Sequence, residues 1–412
     1  MEVLYRRCCG LDVHKRSISA CLRTVDDHGH VDRERRTFGT MTADLLALSD
    51  WLRASQVSHV AMESTGVFWK PVYNVLEDGS FELILANAQA VRNVPGRKTD
   101  VQDAEWLADL LAHGLIKASY VPDRGQRELR ELMQYRRSLV QQRSSEVNRV
   151  QKVLEGANLK LASVASDILG VSGRAILEQI AAGETDPDTL ADLAQGRLRN
   201  KTPELRQALH GRLGTHQRFM LRQLLDHIDY LDACVAQLEL EIDQRLRPFE
   251  HELARLTTAP GIGRLTAQTI LAVIPDLGRF SSPQELASWA GLSPGNNESA
   301  GKRRSGRTTG GNRLLRDVLI EAAWAAVHTK DTYLSSRFRQ LATRRGAKRA
   351  IVAIAHDLLT SVYYMLTRQT DYVDLGPNRL DPTHRDRAAR RLTWRIEKLG
   401  YRVSLTDLQA VT

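Results

Sequence analysis

An α/β N-terminal domain followed by a mostly helical remainder is the fold class this sequence predicts. The middle is expected to be a helical coiled coil, and the C-terminal helical domain to hold a helix-hairpin-helix turn. Three observations carry that expectation. Short apolar runs alternate with helical spacings over residues 4–120, and leucine and isoleucine recur at heptad intervals between 221 and 242. A Pro-Gly-Ile-Gly turn at 260–263 separates two apolar helical stretches.

The first apolar run covers residues 3–13, with a hairpin partner at 18–25 and a third strand at 31–38. Helical spacing follows at 45–52, a short buried strand at 59–62, a helix at 67–76, a strand at 81–86 and a helix at 103–113. Three early strands followed by alternating helix and strand predict a mixed sheet. Beyond 124 the pattern turns helical: 126–154 has one apolar stripe with arginines on its other faces, and 160–215 breaks into short helices. Leu221, Leu224, Ile228, Leu231, Val235, Leu238 and Ile242 then step by three and four up to the break before Pro248. Such a seam pairs either with the earlier long helix or with a second subunit. The expected segments are 1–122, 123–252, 253–371 and a basic helix-strand tail at 372–412, which either covers the core or grips nucleic acid.

The 412 residues include 58 Lys and Arg against 49 Asp and Glu, a net charge of +9. That length is ample for several buried cores, and 42% hydrophobic with 26% charged residues describes a globular chain. No apolar run is read as long enough for a bilayer, and no secretory signal is expected from MEVLYRRCCGLDVHKR, which has no apolar h-region. The four cysteines form no CxxC pair, so a reduced, cytoplasmic protein without membrane or zinc-ribbon character is expected. The excess charge is local. Residues 301–350 hold thirteen Lys or Arg and three acids, a net +10. A solvated helical face would look similar, but the density suits a polyanion, whose condensed counterions such a patch displaces.

Four acids have the layout that two-cation phosphoryl chemistry needs. Asp12 ends the first strand, Glu63 follows the buried strand at 59–62, and Asp100 and Asp103 stand three apart at a helix start. Each alone also reads as an ordinary turn or cap residue. Their order, acid after strand one, acid after strand four and paired acids on a late helix, is the ribonuclease-H-like arrangement, in which oxygen ligands hold Mg²⁺ or Mn²⁺. In the Pro-Gly-Ile-Gly turn, Gly261, Ile262 and Gly263 are candidates for a nucleic-acid backbone contact. A tight helical hairpin would carry the same signature.

GLDVHK, MESTG, KTDVQDA, PGIG, AGLSP, ESAGKRRSGR and GGNRLLR occur in this order, and together they resemble the DEDD transposases of the insertion-sequence 110 family, also described as bridge-RNA-guided recombinases. The resemblance runs from about residue 7 to 370. It implies a RuvC-like domain over 1–122 with Asp12, Glu63, Asp100 and Asp103 as catalytic, metal-holding acids, and a transposase-specific domain over 253–371 with a nucleophilic serine. That serine maps to Ser299, followed by Ala300 where the family often carries glycine, with Ser293 and Ser305 as alternatives. The implied reaction joins donor and target DNA through a transient 5′-phosphoserine link. Lys302, Arg303, Arg304, Arg307 and Arg313 would steady phosphates. A structured noncoding guide RNA, dimers assembling to tetramers and a place at the bacterial nucleoid are further implications of the resemblance alone. Two rivals remain: a metal-dependent nuclease acting on branched DNA with water, and a non-catalytic nucleic-acid scaffold.

Overall fold

The computed structural model describes residues 2–64, 66–79, 81–87, 103–274, 276–295, 297–299, 302–305, 308, 310–377 and 382–405. The chain divides into two compact units, Met1–Asp123 and Arg124–Thr412.

The first unit is built on a six-stranded mixed sheet. Strands β1 (Arg7–Val13), β2 (Ile18–Val25) and β3 (Val31–Phe38) form an antiparallel meander. Helix α1 (Thr42–Ala54) leads to β4 (His59–Glu63), which runs parallel to β1. Helix α2 (Trp69–Leu76) leads to β5 (Glu82–Ala86), parallel to β4. After α3 (Asp103–Ala112), the two-residue β6 (Ala118–Ser119) closes the order β3-β2-β1-β4-β5-β6. Strand six has no apolar run and is not legible in the sequence.

The two faces of the sheet differ by design of the side chains. Cys9, Leu11, Val60 and Met62 point to one face and build a core with Leu45, Leu48, Leu52, Val72 and Leu76 of α1 and α2. Alternate residues point to the other face, and there they are small. Cys8 and Ala61 pack on Leu111 and Ala112 of α3, and Cys21 packs on Ala104 and Ala108. At Gly10 a Cβ would fall 2.2 Å from the Ala104 carbonyl and 2.6 Å from the Ala108 nitrogen, so α3 lies directly on the β1 backbone. Burial pushes the Cys8 thiol up to about 12 and the Cys21 thiol up to about 11, and no disulfide forms. These thiols are packing groups.

The second unit opens with α4 (Arg124–Gly156), followed by the short helices α5 (Leu161–Val164), α6 (Val171–Ala182), α7 (Pro187–Asp192) and α8 (Thr202–Ala208), and then α9 (Thr215–Leu246). Helices α4 and α9 pair with each other, antiparallel. Arg245 meets Glu128, Arg136 meets Glu239 and Arg143 meets Asp232, so one number rises as the other falls. At one end Leu129 and Met133 join Ile242 and Leu246; at the other Val150 and Leu154 join Leu221, Leu225 and Ile228 beneath α5–α8. The heptad seam is therefore buried within the chain at both ends, while Val235 and Leu238 near its middle are half-buried.

The remaining elements are α10 (Glu250–Thr257), α11 (Arg264–Val273), α12 (Pro283–Trp289), the hairpin β7 (Asn297–Ser299) and β8 (Lys302–Ser305), α13 (Arg313–His328), α14 (Tyr333–Arg345), α15 (Ala347–Arg368) and α16 (Pro382–Glu397). Residues from α10 to α15 share one core with the lower ends of α4 and α9. Helix α15 is long and apolar enough to cross a membrane by length and composition, which the sequence reading passed over. Its buried side, from Ala350 and Ile351 to Val362 and Met365, is instead spent on this core.

Candidate active site

Gly10 and Asp12 alternate onto the α3 face of β1, as do Ala61 and Glu63 on β4. The last paired residues of these parallel strands are Leu11 and Met62. One step further, Asp12 and Glu63 stand side by side at the carboxyl ends of β1 and β4. Asp103 opens α3, one residue before the Ala104 carbonyl that rests on Gly10. Small residues on this face let the helix close on the sheet, and the next residues along both strands are acids.

The electrostatics reflect that convergence. Burial raises the Asp12 carboxyl above its usual range, His14 lowers it, and Asp103 and Glu63 raise it further. His14 Nε2 lies 3.0 Å from Asp12 Oδ2. Two carboxylates opposing ionisation of a third is the condition that a cation relieves. Among the described residues no three ligating groups stand close enough to cage a metal ion unaided. Asp100, the fourth expected acid, lies outside the described residues. The all-oxygen donor set nevertheless fits a hard divalent cation.

Gly10→Ala tests how closely this geometry is set. The added methyl meets backbone atoms of α3, which cannot swing aside, so α3 and Asp103 must shift together. The expected result is a loss on the order of 1–3 kcal/mol in stability, read by thermal melting, and at least a tenfold fall in activity.

The serine candidates lie in the second unit. Ser299 ends β7 and is opposite Lys302 in the register, as Glu298 is opposite Arg303; the side chains of these residues lie outside the described ones. The base of the hairpin is tight. A Cβ on Gly311 would fall 2.3 Å from the Gly291 nitrogen, and Pro294 bridges to Thr308. Ser293 precedes this bridge and Ser305 ends β8.

The expected nucleic-acid contacts fare differently from one another. Gly261, at φ +80, has its Cβ direction filled by α13, 2.1 Å from the Ala322 carbonyl. Ile262 is 3% exposed in the core. Only Gly263 faces open space, at the start of α11, where Arg264 is held by Asp243 and Glu250. Lys302, Arg303 and Arg304 belong to β8, with side chains outside the described residues, as is all of Arg307. Arg313 is 91% exposed and 3.8 Å from Asp317. Further along, residues 343–349 are exposed without interruption at the α14–α15 corner, and Arg344, Arg345, Lys348 and Arg349 make no ion pair among the described residues. Arg337, two turns earlier, is bound to Asp357. The run RRGAKR was the signal for this corner.

Two family models match the chain. The DEDD transposase model of the IS110 type covers residues 9–159, and the model described as Transposase IS116/IS110/IS902 family covers residues 253–339. A probable family 20 transposase of Pseudomonas aeruginosa is 26% identical over 367 residues, 88% of this chain and 97% of the relative. The transposase for insertion sequence element IS1111A of Coxiella burnetii is 25% identical over 88% of this chain and 90% of its own. A pilin gene-inverting protein of Moraxella bovis is 29% identical over 150 residues, 35% of this chain and 46% of its own.

Proposed function

Given that this chain belongs to the IS110 family and is a DNA transposase, we propose that it excises and inserts an element by strand exchange through a phosphoserine link at Ser299, directed by a structured noncoding RNA. The observation that carries the phosphoryl chemistry is the convergence of Asp12, Glu63 and Asp103 where β1, β4 and α3 meet. The sheet order β3-β2-β1-β4-β5, with its three-strand antiparallel meander, supports a ribonuclease-H-like reading of that unit.

Asp12, Glu63, Asp103 and Asp100 would hold the divalent cation, Mg²⁺ or Mn²⁺, which neutralises charge building on the phosphate oxygens. Ser299 Oγ attacks the phosphorus, forming an O–P bond as the P–O3′ bond breaks, and the hydroxyl proton is balanced on the departing 3′ oxygen. A 3′ hydroxyl from the other DNA then attacks the same phosphorus and returns the serine. The phosphodiester count is unchanged, so no energy source is required. Lys302, Arg303 and Arg304 belong to β8, the strand paired with the one that ends in Ser299, and would supply positive charge for the phosphate.

The unpaired corner at Arg344, Arg345, Lys348 and Arg349 contacts the DNA backbone in this reading. Replacing all four with alanine flattens the slope of log affinity against log salt by about 3–4 on duplex DNA. Fluorescence anisotropy across a salt series reads this directly, and an unchanged slope excludes the corner.

The reaction itself is tested with full-length protein, its flanking RNA, supercoiled DNA carrying the element junction, and Mg²⁺. A protein–DNA adduct on a denaturing gel, chased into joined product, is the expected result. Nicked DNA with no adduct would instead establish hydrolysis by water.

A further inference from the structure

Helix α3 carries more carboxylates than the acid site uses. Glu105 and Asp109 lie four residues apart, on a different side of the helix from Asp103, and face the β2–β3 hairpin. There they meet three arginines. Arg23 on β2 is 4% exposed and its Nε donates to Asp109 Oδ1 at 2.9 Å. Arg33 on β3 stands opposite Arg23 in the register, and its Nη2 donates to both oxygens of Asp109, at 2.9 and 3.0 Å. Arg35, two residues along the same face of β3, pairs with Glu105, whose side chain is only 13% exposed.

Apolar contacts seat α3 on the sheet through Leu107, Leu110 and Leu111, with Ala104 and Ala108 lying on Gly10 and Cys21. Charged pairs on the neighbouring hairpin add a directional constraint at two heights, and Asp109, gripped through both oxygens by Arg33, has a defined direction. Asp103 is on the same rigid element, two residues before Glu105. Its azimuth is thereby tied to β3, an edge strand that carries none of the expected acids.

Resting on the acid site proposed above, we infer that the Arg33–Asp109 and Arg35–Glu105 pairs are a two-point clamp that holds α3 against small rotations on its apolar seat, making Arg33 and Arg35 positioning residues for Asp103. The clamp also engages Glu105 and Asp109, so neither is free to compete for a cation.

The test uses full-length protein and Mn²⁺ as the probe, with bound ion counted by electron paramagnetic resonance. Arg33→Met with Arg35→Met is expected to raise the Mn²⁺ dissociation constant at least tenfold and to lower strand transfer in parallel. The melting temperature should fall as well, since Glu105 is left without its partner, so the reversed pair is what separates positioning from stability. Reversing one pair, as Arg35→Glu with Glu105→Arg on the Arg33 background, should restore Mn²⁺ affinity to within about threefold, a rescue that loss of general stability would not give. Wild-type affinity in the Arg33→Met/Arg35→Met protein overturns the clamp, and so does a reversed pair that stays weak. If that double variant does not fold, Arg35→Gln alone, at a side chain 60% exposed, carries the same expectation. Asp12→Asn separates the two readings: if it leaves Mn²⁺ binding intact, the acid site itself is misplaced, whereas lost binding there with intact binding in the arginine variants rejects only the clamp.

Discussion

Ser299→Ala removes the protein–DNA adduct altogether and lowers strand transfer by about a thousandfold or more, the scale on which loss of a covalent nucleophile is felt. Duplex binding at moderate salt stays at the wild-type level, because the phosphate-contacting cations are untouched. The expectation follows from the reaction order proposed here. Without a serine oxygen to hold the 5′ phosphate, the cut end has no stored bond to pass to a new 3′ hydroxyl. Cleavage without an adduct, undiminished in Ser299→Ala, would move the chemistry to water and favour a nuclease. Retained adduct in Ser299→Ala, lost in Ser293→Ala or Ser305→Ala, would reassign the nucleophile.

Asp12→Asn gives the second large effect, and its two parts point in opposite directions. Strand transfer falls by about a thousandfold or more, since the acid at the centre of the site no longer carries charge. The cation-free protein, however, melts higher than the wild type. The sign follows from linkage. Burial, the largest influence, with Asp103 and Glu63, raises the native carboxyl above its unfolded value of 3.8. Below that value Asp12 is protonated in both states and contributes nothing. As pH rises through the interval, the unfolded chain releases the proton while the native one retains it, so stability falls; above the native value the full penalty is present. At neutral pH the cation-free wild type bears it and the asparagine variant does not. Adding Mn²⁺ should then raise the melting point of the wild type and leave Asp12→Asn nearly unmoved. A variant that melts lower than wild type without cation would show that Asp12 is stabilising and that the carboxylates are not in mutual conflict.

Much of the first unit could be read directly from the chain. The runs at 7–13, 18–25, 59–63 and 82–86 are strands because β-branched and apolar residues alternate or cluster there, between turns rich in glycine and polar residues, whereas 31–38, charged from Asp32 to Arg36, is a strand through its pairing along β2. The order of Asp12, Glu63 and Asp103 along those elements was legible for the same reason. What was not legible depends on long-range pairing. Arg23 and Asp109 are 86 residues apart, and nothing local marks either as a partner. The heptad seam in α9 was plain, but its partner was open until the antiparallel register with α4 brought Arg136 to Glu239. The Pro-Gly-Ile-Gly turn shows the limit in another way. A glycine can be required by a ligand or by packing, and at Gly261 the backbone of α13 fills the space.

The α4–α9 pair has a metric consequence. A helix of 33 residues is about 50 Å long, comparable with some 15 base pairs of duplex at 3.4 Å each. With a core at each end and charged rungs between, this rod works as a calliper: its two ends stand at a separation set by residue count. Taking one heptad out of each helix at matching heights would shorten the calliper by about 10 Å while leaving the seam in phase. The number of heptads is then a dimension written into the gene and adjustable in steps.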